Sequence, residues 1–159
     1  MSVSLAACPN AETLALQERN RKTVEEYMAL KGPDRIEERL GLFADDGMRE
    51  ICSTRSCLPE RTVGKKALRE KMLRLQKKWA DFGYSDVTIY RTPEPERFIV
   101  ECDGHGLMKN PMFTDPHEYE NHFFILFVVV DGRIKLMKEF MNPLKLDQAF
   151  WNPAPDRVM

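Results

Sequence analysis

Two long, largely apolar runs joined by a two-residue turn constrain this chain more than any other feature. Glu118–Val130 and Arg133–Asn142 flank Asp131-Gly132, a dipeptide suited to the tight loop of a β-hairpin. With that loop, Val130 faces Arg133 and the register of the whole hairpin follows. Ile134, Leu136, Lys138 and Phe140 then share a face with Val129, Phe127, Ile125 and Phe123. Lys135, Met137, Glu139 and Met141 fall on the other face, beside Val128, Leu126, Phe124 and His122. Both faces carry apolar residues, so both are expected to be buried, one under helices and the other against a second subunit.

The preceding sequence changes from helical to strand patterning. Asn10 is placed to cap a helix through Leu14, Val24, Tyr27 and Met28, which Gly32-Pro33 stops. Asp34 can cap a second helix with Ile36, Leu40 and Phe43 on one side, and Asp45-Asp46-Gly47 reads as a turn before a strand over Met48–Thr54. In a third helix, from about Lys65 to Ala80, the residues Leu68, Met72, Leu75 and Trp79 form one stripe on a 3.6-residue period, with Lys71 on the same stripe. Strands follow at Tyr84–Arg91 and Arg97–Met108, separated by a Pro93-Glu94-Pro95 turn, and Lys109–Pro116 reads as a loop. Helices followed by a meander of long strands predict an α+β fold: a curved antiparallel sheet wrapped on N-terminal helices, a cone with an interior pocket. The expected domain spans residues 11–144, between a flexible tail at 1–10 and a C-terminal tail at 145–159.

Composition excludes several function classes. Among 159 residues, 24 Lys and Arg balance 25 Asp and Glu, a net charge of −1 with no basic field for nucleic acid. The longest apolar run, Phe123–Val130, falls far short of the ~18–20 residues of a membrane span, so no membrane partner is expected. Cys8, Cys52, Cys57 and Cys102 contain no Cys-x-x-Cys pair and read as small buried or half-buried thiols. Leu5-Ala6-Ala7-Cys8 imitates a lipoprotein cleavage box, but no Lys or Arg precedes Cys8, and the expected compartment is the cytoplasm. There is no glycine-rich phosphate loop, no Gly-x-Ser-x-Gly and no paired Cys and His signal. Cofactor-free acid–base chemistry, or binding alone, remains.

Glu139 is the residue that points to chemistry. In the register above it stands between Met137 and Met141, opposite Phe124, with His122 one diagonal away. A carboxylate among apolar groups is hard to ionise, and its pKa should rise toward that of a general acid or base working near neutrality. The bland alternative is an edge carboxylate, solvated or paired with Lys109 or Arg133. Lys71 has two readings as well: a stem laid over apolar surface with its ammonium in water, or a buried amine that binds a carboxylate. No metal is expected. His117 and His122 would lie on opposite faces of one strand, and Glu120 with His122 makes only two ligands. A hydrogen-bonded structural role is the simpler reading of His122.

Several segments together resemble the phenazine-biosynthesis A/B proteins, a branch of the nuclear-transport-factor-2-like (NTF2-like, SnoaL-like) superfamily. They are Arg19-Asn20-Arg21, Thr23-Val24, Tyr27-Met28, Leu42-Phe43, Asp45-Asp46-Gly47, and Phe98 with Val100-Glu101-Cys102-Asp103-Gly104. Glu120-Asn121-His122, Asp131-Gly132-Arg133-Ile134-Lys135 and Glu139-Phe140-Met141-Asn142-Pro143 complete a collinear set. The resemblance implies a cone-shaped α+β barrel that dimerises through its sheet, as a homodimer or with a paralogue. It also implies a role in which two cyclohexene amino-ketone carboxylic acids condense through imines, with no cofactor. The family's acid–base glutamate corresponds to Glu139.

Departures fall at the pocket. A family histidine on the third helix corresponds to Lys71, Ile51-Cys52-Ser53-Thr54 lacks the family's tryptophan-threonine pattern, and Met108–Tyr119 lacks its proline-glycine-tyrosine loop. A related condensation or cyclisation therefore stands beside phenazine assembly. The expected catalytic residues are Glu139 and Lys71. The expected substrate-binding residues are His122, Phe124, Trp79, Met137, Met141, Leu75 and Arg39. The alternative is a non-catalytic module that holds a reactive intermediate or supports a partner enzyme.

Overall fold

The computed structural model describes residues 10–52, 60–109 and 117–146. Cys8, Cys57, Thr54, most of the Lys109–Pro116 loop and nearly all of both expected tails lie outside them.

Helix α1 (Ala11–Ala29) starts as the sequence indicates, with the Asn10 side chain accepting the Thr13 amide at 2.8 Å. Gly32, at φ 84°, turns the chain after it in a conformation that favours glycine. The buried side of α1 mixes Val24, Tyr27 and Met28 with Asn20 and Thr23. Those two polar residues hold the hairpin turn. The Gly132 amide donates to Asn20 Oδ1 at 3.1 Å, and Thr23 Oγ1 donates to the Gly132 carbonyl at 3.0 Å. Asp131 and Gly132 have φ of 50° and 73°, the left-handed pair that a two-residue hairpin loop requires.

Helix α2 (Ile36–Leu42) is capped at Arg35 without a side-chain bond, so the Asp34 cap expected from the sequence is not formed. Phe43 leaves the helix to open strand β1 (Phe43–Ile51). Asp45-Asp46-Gly47, expected as a turn, lies inside β1, where the register against the neighbouring strand breaks between Phe43 and Met48. A short strand, β2 (Glu60–Val63), was not legible, because four residues with little apolar alternation carry no periodic signal. Helix α3 (Lys65–Gln76) ends earlier than expected, and Trp79 begins strand β3 (Trp79–Arg91) instead of closing the helix. Strands β4 (Arg97–Met108), β5 (His117–Val130) and β6 (Arg133–Met141) follow.

The six strands form one curved, open sheet in the order β2-β1-β6-β5-β4-β3. All neighbours are antiparallel except β1 and β6, which run parallel, a correction to the wholly antiparallel sheet expected. The helices cover the inner face. Phe98, Val100, Ile125, Phe127, Val129, Ile134 and Met137 from the sheet pack with Val24, Met28, Leu40 and Leu68 from the helices. Gly104 lets this face bend around an aromatic ring: a Cβ there would lie 2.4 Å from Phe123 Cε2.

The hairpin register differs from expectation at one residue, with large effect. Val130 pairs with Arg133 and Val129 with Ile134, as the turn dictates, but Val128 pairs with Leu136. Lys135 is an extra residue on β6, a bulge. Beyond it every side chain exchanges faces, because strand side chains alternate with a period of two. Glu139 pairs with Ile125 rather than Phe124, and Met137 and Met141 pair with Phe127 and Phe123. The inner face thus carries Glu139. His122 and Phe124, expected beside it, lie on the outer face with Lys138 and Phe140.

Candidate functional site

The open end of the cone contains a cavity of about 400 Å³, between the helices and the inner sheet face. Its apolar wall is largely aromatic. Trp79 contacts Phe82 and Tyr119 at centroid separations of 4.9 and 5.2 Å, and Tyr84 contacts Phe123 at 5.6 Å. Arg39, Arg49, Lys71, Arg74 and Lys78 line it against two carboxylates, Glu60 and Glu139. A cavity with that excess of cations over anions suits an anionic ligand that carries a ring.

Glu139 is 1% exposed and lies against this cavity. It is not alone among apolar groups, which corrects the premise drawn from the sequence. Arg49, on β1 directly beside the hairpin strand β6, grips both of its oxygens. Arg49 Nε donates to Oε2 at 2.5 Å and Nη2 to Oε1 at 3.0 Å. The parallel register of β1 and β6 makes this possible by setting Arg49 beside Met137 and Ile51 beside Glu139. Neither Lys109 nor Arg133, the partners considered from the sequence, makes this contact. Burial opposes the charge of Arg49, but Glu139 and the neighbouring tyrosines outweigh it and raise the guanidinium's pKa.

Lys71 is buried and donates from Nζ to Glu60 Oε1 at 2.6 Å. Desolvation lowers its pKa, with Arg49 adding to the effect and Glu60 opposing it. Lys71 is thus a buried amine, as in the second sequence reading and not the first, and its partner is an exposed carboxylate at the cavity rim. Arg39 also lines the cavity, but its Nη1 and Nη2 are committed to the carbonyls of Gly32 and Leu30 at 2.9 and 2.7 Å. It therefore braces the connection between α1 and α2.

Of the remaining expected residues, Leu75, Trp79 and Met141 line the cavity, whereas Met137 is sealed in the core. His122 and Phe124 do not reach it. His122 bonds Asp103 through Nδ1 at 2.6 Å and sits 3.3 Å from Glu101 through Nε2, both on the outer face of β4. Its pKa is raised, first by the Asp103 bond. The sequence reading missed Arg49 and two cavity tyrosines, Tyr27 and Tyr84. A lone arginine in a short strand was the available signal, but its facing depended on a neighbour 90 residues away in the chain.

The family profile described as phenazine biosynthesis protein A/B matches residues 7–157. The chain belongs to that family. It is 39% identical over 140 residues to the phenazine biosynthesis protein PhzB1 of Pseudomonas aeruginosa, covering 88% of this chain and 85% of that protein. Among solved structures, a phenazine biosynthesis-related protein (PhzB2) of Pseudomonas aeruginosa superposes with a TM-score of 0.81 at 35% identity, over 93% of this chain and 95% of that one. An NTF2-like protein of Burkholderia xenovorans superposes with a TM-score of 0.63 at 17% identity, over 83% and 95% of the two chains, and shows the shared fold. The NTF2-like architecture that the resemblance implied is therefore present in this phenazine A/B family member. Among the described residues no helix is long and apolar enough to cross a membrane, and no cluster of three His, Cys, Asp or Glu residues is placed to hold a metal.

Proposed function

We propose that this chain serves phenazine biosynthesis, or a closely related route, by promoting condensation of two cyclohexene amino-ketone carboxylic acids through imines. Family membership supports the biosynthetic role, and the observation that carries the chemistry is a fully buried Glu139 at an aromatic, cation-rich cavity. Glu139 moves protons between the adding amine and the carbonyl oxygen, while Lys71 steadies a substrate carboxylate. Holding two reactants in register could itself remove up to roughly 7–11 kcal/mol of barrier. The carboxylate would have to leave Arg49 in part, or share it, during each transfer.

The test is condensation of a purified aminocyclohexenone carboxylic acid by the parent chain and by Glu139→Gln. The expected result is a rate loss of about 10²–10⁴-fold with little change in ligand affinity. Equal turnover in the two proteins rejects the role.

A second reading is favoured by the same ion pair. Because Arg49 engages both oxygens of Glu139, the cavity is also suited to a non-catalytic module that shelters a reactive intermediate. In that case Glu139→Gln would match the parent in a reconstituted pathway while Trp79→Ala would not.

The outer sheet face, with Ile99, Leu107, Phe124 and Phe140 exposed, supports a dimer through the sheet, as a homodimer or with a paralogue. The proposed compartment is the cytoplasm.

A further inference from the structure

Tyr27 and Tyr84 are more than nine-tenths buried, and both line the cavity. Their rings are held from two sides. Tyr27 meets Phe43 and Phe127 edge-on at 5.9 and 5.7 Å, and Tyr84 meets Phe82 and Phe123 edge-on at 5.2 and 5.6 Å. Neither hydroxyl has a hydrogen-bond partner among the described residues, in contrast to Tyr119, whose oxygen accepts from Asn121 at 2.9 Å. No sealed side-chain nitrogen or oxygen among those residues lacks a partner, so both free hydroxyls open on the cavity.

A hydroxyl that opens on a cavity without a protein partner is available to donate to whatever fills that cavity. Burial raises the pKa of both phenols, so each is a neutral O–H donor at ordinary pH. The two belong to one group with the ion pair. Arg49 and Glu139 line the same cavity as both tyrosines. Arg49 spends Nε and Nη2 on Glu139, which leaves Nη1 as a further donor on a residue that lines the same cavity.

We propose that Tyr27, Tyr84 and the Nη1 edge of Arg49 form an oxygen-binding subsite that takes the carbonyl oxygen of a ring ketone. Its part in the reaction rests on the condensation proposed above. As the amine nitrogen adds to the carbonyl carbon, the C=O π pair moves onto oxygen, and the three donors hold the charge that develops there. One nitrogen proton passes through Glu139 to that oxygen and gives a carbinolamine. The second nitrogen proton follows the same route, the C–O bond breaks, and the oxygen leaves as water while the C=N bond forms. Glu139 ends as it began, and one water is released for each imine.

The subsite is tested without the condensation, by titrating the protein with 4-nitrophenol at a pH where it is ionised and with nitrobenzene, which shares the nitro group and lacks only the phenolate oxygen. The parent should bind the phenolate more tightly than nitrobenzene. Tyr27→Phe and Tyr84→Phe should each weaken phenolate binding about tenfold or more, the worth of a hydrogen bond to a charged oxygen, and leave nitrobenzene binding unchanged. Tyr90→Phe, on the outer face, should alter neither, and unchanged thermal midpoints would show that the variants fold. A parent that does not distinguish the two ligands, or a double Tyr→Phe variant that binds phenolate like the parent, overturns the subsite. Phenolate binding through both tyrosines in a chain that fails to speed condensation supports the subsite and rejects the condensation.

Discussion

Arg49 on β1 and Glu139 on β6 meet side-on across the only parallel strand pair of the described sheet, joined by two hydrogen bonds. An ion pair this deeply buried holds two desolvated charges that depend on one another.

Removing one member should therefore be severe. Arg49→Met leaves a carboxylate at 1% exposure without its cation and should cost about 3–5 kcal/mol in chemical denaturation. Replacing both, as Arg49→Met with Glu139→Leu, should recover most of that loss while abolishing the condensation proposed above. A double variant as unstable as the single one would show that the pair is not the source.

The bulge at Lys135 is a second point of sensitivity. Lys135→Ala should leave the thermal midpoint almost unchanged, since it removes only a surface ion pair with Asp46. Deleting Lys135 should abolish the cooperative transition, because it forces Met137, Glu139 and Met141 toward the outer face. A folded deletion protein with parent-like stability would contradict the register.

Glu50 supplies acid sensitivity. Desolvation raises its pKa, but bonds from Lys138 and Arg61 outweigh that and hold it below the ordinary 4.5. A depressed carboxylate contributes stability above its unfolded value and loses it as pH falls through the folded one. Glu50→Gln should be less stable than the parent at neutral pH, and the difference should close in acid when thermal midpoints are compared across pH.

His122 titrates in the opposite sense. Its pKa is raised above 6.5 by Asp103 first, with burial opposing and Glu101 adding to the rise, while Glu101 is itself bonded to Tyr90. The contribution is present below pH 6.5 and fades as pH rises through the raised value. NMR titration should place the His122 midpoint above that of an exposed histidine, and Asp103→Asn should bring it down.

The outer face gives a test of association. Phe124→Asp should shift the species seen by light scattering toward monomer, because a charge would stand in the exposed apolar patch with Phe140 and Ile99. A monomeric parent would remove the dimer from the proposal.

The hairpin, its turn, the first helix with its Asn10 cap, and the apolar stripe that carries Lys71 were legible because each rests on residues near one another in the chain. The family resemblance was legible for a similar reason: short motifs kept their order and spacing. Local patterning also placed Glu139 as the residue to examine. It did not place Arg49 beside it, or His122 and Phe124 away from it. A strand's neighbour across a parallel pair is chosen by the whole sheet, and a single inserted residue such as Lys135 leaves no mark on composition or period. The side chains were written in the chain, and the face each one presents was settled only when distant strands came into register.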